Sequence, residues 1–351
     1  MVSPVFLDTR SVALVDAMNL LLRIYFSVSK GNPLKSETDL IESCCQIFFY
    51  QIGLVVRKYS CDRLFIVFDH GGSMRKKAIL ESYKATRTYK TTASGELGNS
   101  SEETFPQLKA AILRLCREFN ITTFCEYGIE ADDMIGVAVE ELTKLGKRIV
   151  IVSNDSDFLQ LLTNANVVCS IPSKSIDLTG PGFSEYFASC TKSKGVFITP
   201  SEYLFYKALV GDTSDNIEGI SRLGYKTLYK LMQEQLETEL QETRSLYATD
   251  TLAYLRLLAS RADTKVSPTK LEKLISDNLS LLERNYKLIE LSSTTASTNT
   301  IHLTLKCLQV SYSSPNKKSI ISTYNELFPN STSRVLDFVS STCAALAPTY
   351  H

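Results

Sequence analysis

The sequence predicts an α/β protein in which a mostly parallel central sheet carries helices on both faces and is followed by a helical domain. Apolar runs rich in Val, Ile, Leu and Phe alternate with helix-period segments through residues 11–171, as in buried parallel sheets. Beyond residue 198 the strand-like runs give way to helical patterns. The chain has 351 residues and is 44% hydrophobic, which suits two domains with a substantial core.

The first domain, residues 1–198, has five predicted strands, at residues 11–16, 63–69, 121–124, 148–155 and 167–171. Helical periodicity predicts helices at residues 19–28, 39–59, 104–119, 132–144 and 156–162, with Pro106 in the first turn of the third. Between residues 70 and 103 the pattern breaks up.

The second domain, residues 199–291, has predicted helices at residues 201–210, 225–232, 248–259 and 267–282. A Ser/Thr-rich linker follows at residues 292–300, and it begins a C-terminal extension, 292–351, whose role the sequence does not indicate. We expect a strand at residues 301–312 and a helix near residues 319–327 within this extension.

The amino-acid composition limits the classes of protein to which this chain could belong. Lys+Arg and Asp+Glu both number 38, so the chain is not a general polycation, although segregated charge still permits nucleic-acid binding. The nine cysteines include no CxxC pair, which indicates a reducing compartment without a disulfide framework. We expect a cytoplasmic protein without a membrane span, because no signal peptide is evident and the longest uncharged run, residues 43–56, is too short and too polar.

Carboxylates recur where the predicted strands end. Each residue alone could be a helix cap or complement a helix dipole. In a parallel sheet, however, the carboxyl ends of the strands meet at one edge, and carboxylates gathered there need a counter-charge. Oxygen ligands without His or Cys suit Mg²⁺ or Mn²⁺, and two such ions about 3.5–4 Å apart hydrolyse phosphodiesters. The residues are Asp16, Asp69, Glu130, Asp132, Asp133, Asp155 and Asp157.

Basic residues are concentrated in the irregular segment after Asp69, with tyrosines between them that could stack on bases or contact sugars. The alternative is a solvated helix face. The residues are Arg75, Lys76, Lys77, Tyr83, Lys84, Arg87, Tyr89 and Lys90, opposed only by Glu81.

Within the second domain, the segment that begins at Gly211 contains Asp212 and Asp215, which could extend the acidic set. A turn from Gly219 to Gly224 then leads into a helix that carries Lys226 and Lys230. Backbone N–H groups in such a turn can approach phosphates independently of sequence. The alternative is a plain helical hairpin.

These segments together resemble the flap endonuclease / 5′–3′ exonuclease family, over about residues 11–232, and are closest in type to its free-standing bacteriophage enzymes. The resemblance is carried by Val15-Asp-Ala-Met-Asn, Phe68-Asp69, Tyr83-Lys-Ala-Thr-Arg87, Gly128-Ile-Glu-Ala-Asp-Asp133, Ser153-Asn-Asp-Ser-Asp157 and Gly211-Asp-Thr-Ser-Asp-Asn-Ile. It implies a PIN-like (resolvase-like) nuclease domain and a helix-hairpin-helix (helix-three-turn-helix) DNA-binding module.

The resemblance also implies roles for individual residues. Asp16, Asp69, Glu130, Asp132 and Asp133 would hold one Mg²⁺, and Asp155, Asp157, Asp212 and Asp215 a second, with Mn²⁺ able to substitute. Lys84 and Arg87 would lie beside the scissile phosphate, at the base of a basic arch over about residues 71–104. Arg23 would contact a phosphate, and the hairpin could hold a monovalent cation.

The sequence departs from the family pattern at three positions. Ala17 stands where the family usually has Gly after the first Asp. In the hairpin, Glu218 replaces a Pro and Arg222 replaces the first hairpin Gly. These changes bear on how closely the backbone can approach a substrate.

The resemblance implies a Mg²⁺-dependent structure-specific 5′ nuclease with flap endonuclease, exonuclease and RNase H-like primer-removing activity. Its substrates would be branched or 5′-ended DNA and RNA–DNA duplex. We expect a monomer that works with a replication polymerase or a single-strand-binding protein. Two alternatives remain, a PIN-type ribonuclease of single-stranded RNA and a non-catalytic branched-DNA-binding protein. Spacing further predicts that Glu130 precedes its helix and that one of Glu130, Asp132 and Asp133 acts through water.

Overall fold

The computed structural model describes residues 10–31, 36–85, 98–190, 193–239, 243, 246–247, 249–265, 267–310, 313–331 and 335–350. Six strands form a sheet of order β3-β2-β1-β4-β5-β6, parallel except for β6. Their bounds are β1 Ser11–Asp16, β2 Cys61–Val67, β3 Thr122–Phe124, β4 Arg148–Val152, β5 Val167–Ile171 and β6 Ile176–Leu178. The mostly parallel sheet is confirmed, while β6 was not predicted.

Helices connect the parallel strands, as right-handed crossovers require. In the first half of the chain they are α1 Ala17–Gly31, α2 Glu37–Tyr59, α3 Met74–Ile79, α4 Gly98–Glu118, α5 Ala131–Lys144 and α6 Gly180–Ser189, with a 3₁₀ helix at Ser156–Thr163. Helix α4 begins at Gly98, before the helix that was predicted from residue 104. Pro106 therefore lies inside α4 rather than in its first turn.

Two hydrophobic cores fill the two faces of the sheet. Helices α1, α2 and α4 cover one face, where Val15, Phe48 and Ile112 are fully buried. Helix α5 and the 3₁₀ helix cover the other, with Val12 and Met134 in its core. The carboxyl ends of β1, β2 and β4 are thus held between two packed layers.

A helical region follows, made of α7 Pro200–Val210, α8 Tyr225–Thr238, α9 Thr251–Thr264 and α10 Lys270–Ile289. A two-stranded hairpin, β7 Gly211–Asp212 and β8 Ile217–Glu218, joins α7 to α8. Gly211 and Gly219 permit the hairpin, because a Cβ on Gly219 would lie 2.0 Å from the carbonyl oxygen of Val210 and one on Gly211 2.4 Å from the nitrogen of Gly219.

The C-terminal extension is helical and packs on the nuclease domain. Its helices are α11 Thr298–Leu308, α12 Lys317–Leu327 and α13 Val335–Leu346, before a 3₁₀ turn at Ala347–Tyr350. The strand predicted at residues 301–312 is wrong. Ser297 instead caps a helix by accepting from the amide of Thr300, and the buried residues Thr300 and Thr304 lie one turn apart.

The extension closes around the sheet edge formed by β3. Arg63 on β2 donates to the carbonyls of Leu308 and Val310 at 2.6 and 2.7 Å. On the α2 layer, the hydroxyl of Tyr324 donates to Glu42 at 2.6 Å, and the ring of Phe338 packs against that of Tyr324 at a centroid distance of 5.0 Å.

Helix α2 is long and apolar enough to cross a membrane by length and composition alone, and half of its most apolar window is buried. Phe48, Phe49 and Ile52 on its inner side are fully buried. This helix therefore has the burial pattern of a core helix.

Candidate active site

The site lies where β1, β2 and β4 end. The parallel register pairs Asp16 with Val67, and Val15 with Val152, so the three strands end level with one another. Asp16 closes β1, while Asp69 and Asp155 follow β2 and β4 by two or three residues. The strand-end carboxylates predicted from the sequence therefore meet at one edge.

Asp16 is buried at the centre of this edge. Its carboxylate accepts from the hydroxyl of Ser153 at 2.8 Å and from the amide of Asn19 at 3.2 Å. Burial, and after it the charge of Asp69, raise the pKa of Asp16 to about 8. Burial and the neighbouring negative charges thus oppose the ionisation of this carboxyl group.

The acidic run Glu130-Ala131-Asp132-Asp133 lies where α5 begins. Glu130 precedes the helix, with φ −91° and ψ 152°, which confirms the prediction of its position. The first helical amide, from Ala131, donates to the carboxylate of Asp69 at 2.7 Å. The positive end of the α5 dipole thus fixes Asp69 against the acidic run.

Lys76 neutralises this run from inside the protein. Its ammonium lies 2.6 Å from Asp132, 3.2 Å from Glu130 and 3.5 Å from Asp133, and the residue is only 1% exposed. Although burial alone would raise the pKa of Asp132, Lys76 and Lys84 hold it at about 2. The prediction that Lys76 contacts DNA is therefore wrong, because its side chain is enclosed by carboxylates.

Tyr83 and Lys84 connect the acidic run to the second domain. The hydroxyl of Tyr83 lies 2.9 Å from Glu130 and 3.1 Å from Asp215. Tyr83 is 2% exposed, so its ring is not accessible to a base. The prediction that Tyr83 contacts DNA is therefore wrong as well. The ammonium of Lys84 lies 2.8 Å from Glu130 and 3.7 Å from Asp215.

Lys84 also has an unusual backbone. Its φ of 54° is left-handed, a conformation that is strained for a side chain other than glycine. Its amide donates to the carbonyl of Asp215 at 3.0 Å. This hydrogen bond, together with the ion pair between the two side chains, holds the start of the predicted arch against the second domain.

A buried lysine that the sequence reading missed, Lys207, organises the remaining acids. Its ammonium pairs with Asp157 and, at 2.9 Å, with Asp212. Burial would raise the pKa of Asp212, but Lys207 and the hydroxyl of Ser214 lower it to about 2. The sequence contained one signal that could have identified Lys207. It is a charged residue inside the apolar run of α7, five positions before Asp212.

Asp155 caps the 3₁₀ helix by accepting from the amide of Asp157 at 2.9 Å. Burial raises its pKa, opposed by Lys207 and reinforced by Asp132. Asp155 thus interacts with both the α5 acids and the Lys207 group. The structure brings all nine predicted carboxylates into one connected cluster.

The site fits divalent cations in its chemistry. Its donors are carboxylate oxygens, the ligands that Mg²⁺ and Mn²⁺ prefer. Asp16, Asp69 and Asp155 all have raised pKa values because burial opposes their charge more than the nearby lysines, Lys84 and Lys207, stabilise it. Among the described residues, no three acidic, His or Cys side chains already enclose a common point. The reason is that the ammonium groups of Lys76, Lys84 and Lys207 pair with several of the carboxylates.

The other predicted contact residues differ in exposure. Arg75 is turned inward, with its guanidinium 2.8 Å from Asp133 and 2.7 Å from the carbonyl of Lys287. Arg23 on α1 donates to Gln51 at 2.8 Å and is half-buried. Lys77 is exposed. Arg87 and Lys90 lie outside the described residues.

In the hairpin module, Gly224 precedes α8 with open space around its Cα, and Lys226 and Lys230 are exposed on that helix. Arg222 has φ 62°, the left-handed region where glycine is favoured. The backbone therefore keeps the turn that a glycine would adopt, although the side chain differs from the family pattern.

Comparison with known proteins agrees with this architecture. A model of the family described as "5′-3′ exonuclease, N-terminal resolvase-like domain" matches residues 11–187, half of the chain. The 5′-3′ exonuclease of Buchnera aphidicola subsp. Schizaphis graminum is 27% identical over 230 residues, which cover 64% of this chain and 70% of that protein. The DNA polymerase I of Caldicellulosiruptor bescii is 30% identical over 229 residues, but these make up only 25% of the polymerase.

Solved structures show the same fold. The bacteriophage T5 5′-exonuclease with bound zinc aligns with a TM-score of 0.61 at 18% identity, over 94% of this chain and 100% of that one. The T5 flap endonuclease in a pseudo-enzyme–product complex with DNA and metal ions aligns with a TM-score of 0.61 at 19% identity, with the same coverage. The chain belongs to the flap endonuclease / 5′–3′ exonuclease family, and it is a metal-dependent nuclease that hydrolyses DNA.

Proposed function

We propose that this chain is a Mg²⁺-dependent structure-specific 5′ nuclease that uses two metal ions and acts as both a flap endonuclease and a 5′–3′ exonuclease. One observation carries the proposal. Nine carboxylates from both halves of the chain form one cluster of buried and half-buried residues, in which the charges are only partly balanced by Lys76, Lys84 and Lys207. The raised pKa of Asp16 marks the part of the cluster that most needs a cation.

Asp16, Asp69, Glu130, Asp132 and Asp133 would hold one ion, and Asp155, Asp157, Asp212 and Asp215 the other. Bound ions would supply a nucleophilic water and stabilise charge on the phosphate. Ser153 orients Asp16, and the α5 amide orients Asp69. Lys84, whose side chain is 16% exposed, can turn from Glu130 towards a phosphate, and Arg87 would act beside it.

We infer that the substrate is branched or 5′-ended DNA, or an RNA–DNA duplex at a primer, by analogy with the DNA-bound T5 relative. Lys226 and Lys230 would contact the duplex backbone beside the hairpin, where a monovalent cation could bind. All nine cysteines are free, which supports a reducing compartment such as the cytoplasm. A monomeric state is part of the same proposal. A polymerase or single-strand-binding partner is part of the same proposal.

The test is cleavage of a labelled 5′-flap duplex in Mg²⁺, in Mn²⁺ and in EDTA. We expect cleavage with either metal and none in EDTA. Asp155→Asn should reduce the rate by at least about 100-fold, more than typically follows loss of an outer-shell partner. Asp277→Asn, the same change at an exposed position on α10, should leave the rate unchanged.

The alternatives predict other results. A single-stranded ribonuclease would cleave an RNA flap but not the DNA flap. A binding protein would retain the flap in EDTA and leave it intact in Mg²⁺. Absence of metal-dependent cleavage by the wild-type protein, or full activity in Asp155→Asn, would refute the proposal.

A further inference from the structure

An exposed aromatic surface adjoins the acidic cluster on the side away from the hairpin. We name it the Tyr127 ledge, made of Tyr127, His70 and Met74. Tyr127 is 69% exposed and Met74 63%. The rings of Tyr127 and His70 meet edge to face at a centroid distance of 5.6 Å. His70 directly follows Asp69, so the ledge begins one residue from the cluster.

Two glycines give the ledge its shape. Gly71 and Gly128 have φ values of 77° and 80°, a region that favours glycine. A Cβ on Gly71 would lie 2.5 Å from the ring of Tyr127, and one on Gly128 2.6 Å from the sulfur of Met74. The ring and the thioether therefore lie directly against the backbone.

The backbone beneath the ledge is fixed to the strand ends. The amide of Gly128 donates to the carbonyl of His70 at 2.7 Å, and the amide of Met74 donates to the carbonyl of Gly128 at 3.0 Å. These bonds tie the loop after β3 to the segment after β2. Among the described residues, the ledge is thus a solvent-facing surface that backbone hydrogen bonds hold in place.

The position of the ledge indicates its ligand. In the strand order, β4 and the Lys207 group lie on one side of β1, and β2, β3 and the ledge lie on the other. The carboxylates therefore separate the ledge from the hairpin module that carries Lys226 and Lys230. Nucleic acid that was held by that module and extended across the carboxylates towards β2 and β3 would therefore reach the ledge.

We propose that the Tyr127 ledge binds an unpaired nucleobase of the substrate's 5′ strand by stacking. This inference rests on the proposed function and adds a binding site to it. Tyrosine stacks on any base, since every base has an aromatic face. The exposed ammonium of Lys77 lies near Gly72, 3.4 Å from where its Cβ would be, and can contact the adjoining phosphate. Glu126, the residue before Tyr127, is exposed and acidic, which favours a base over a phosphate at Tyr127 itself.

The experiment measures binding without cleavage, by fluorescence anisotropy in EDTA. The ligands are a 5′-flap duplex and the same duplex without unpaired nucleotides. We expect Tyr127→Ala to weaken flap binding about tenfold and to leave binding of the plain duplex unchanged. Tyr127→Phe keeps the ring and should bind as the wild type does. Tyr50→Ala removes a tyrosine that is similarly exposed, at 63%, from α2, and serves as the matched control.

A second measurement identifies which unpaired nucleotide stacks on Tyr127. The flap carries 2-aminopurine at successive unpaired positions, and its fluorescence falls when the base stacks. Quenching at one or more positions should occur with wild type and Tyr127→Phe and should be lost in Tyr127→Ala. The salt dependence of binding should be unchanged in Tyr127→Ala, because no phosphate contact is lost, whereas Lys77→Ala should lower the slope of log K against log salt by about one.

The two proposals fail separately. If the wild type cleaves the flap in Mg²⁺ but Tyr127→Ala binds and quenches as the wild type does, the ledge proposal is refuted and the nuclease proposal stands. If the wild type binds and quenches through Tyr127 but never cleaves, the nuclease proposal is refuted and the ledge is a nucleic-acid site of a binding protein.

Discussion

Replacing Lys207 with methionine tests whether internal ammonium groups hold the acidic cluster together. Lys207 is 3% exposed and pairs with Asp157 and Asp212. Methionine has a similar length and no charge, so it should fill the space. It leaves two largely buried carboxylates without their shared counter-charge. We expect the metal-free protein to be strongly destabilised.

The magnitude follows from the pKa of Asp212. Its value of about 2, against an ordinary 3.8, corresponds to roughly 2–3 kcal/mol of folding stability, at 1.36 kcal/mol per unit. Lys207 is the largest source of this lowering, and the hydrogen bonds from Ser214 supply the rest. Because the folded-state pKa is lowered, this stability is present above about pH 4 and is lost as the pH falls through 2. Asp157 loses the same partner, and breaking a buried ion pair typically costs about 3–5 kcal/mol in total.

The assay is thermal unfolding at pH 7.5 in EDTA and again in Mg²⁺. We expect Lys207→Met to lower the Tm by at least about 5 °C in EDTA. Mg²⁺ should restore part of the loss, because a cation that binds the folded state replaces the missing charge. Lys273→Met, an exposed helical lysine, controls for the loss of one charge. A Tm within 1 °C of wild type in EDTA would refute the reasoning.

Two further predictions concern single residues. The pKa of Asp16 is raised to about 8, so the folded protein holds a proton that the unfolded chain releases near pH 4. The metal-free wild-type protein should therefore lose folding stability, on the order of a few kcal/mol, as the pH rises from 5 towards 8. The variant Asp16→Asn should show a weaker dependence of Tm on pH. Parallel Tm–pH curves for the two proteins would contradict this prediction. Arg222→Gly should raise the free energy of unfolding by about 1 kcal/mol, because glycine adopts φ 62° without strain; a lower urea midpoint would contradict it.

The sheet and the carboxylate positions could be predicted because they depend on local, periodic signals. Apolar runs such as that of β4 mark buried parallel strands, and the residues after them must lie at one edge. Asp16, Asp69 and Asp155 were found in this way. Glu130 was placed before α5 because adjacent acids cannot share one helix face.

Side-chain direction could not be predicted from the same signals. Lys76 and Lys77 are neighbours in one basic run, yet Lys76 is enclosed by carboxylates and Lys77 is exposed. The difference depends on where α5 brings Asp132, which is a tertiary contact. Lys207 was missed because a single charge in an apolar helix resembles a surface position. The strand predicted at residues 301–312 is instead a helix, whose start depends on the cap that Ser297 provides.

The wrapping of the C-terminal extension has a consequence for the order of folding. Glu42 on α2 accepts from Tyr324 and Ser331, and Phe49 packs against Phe338, so one core joins segments almost 300 residues apart in sequence. Such contacts form late, since closing a long loop is entropically unfavourable. During synthesis, Glu42 and Phe49 on α2 must therefore remain without these partners until α12 and α13 have been made. The nuclease domain reaches its full packing only after the helical region and the extension have left the ribosome.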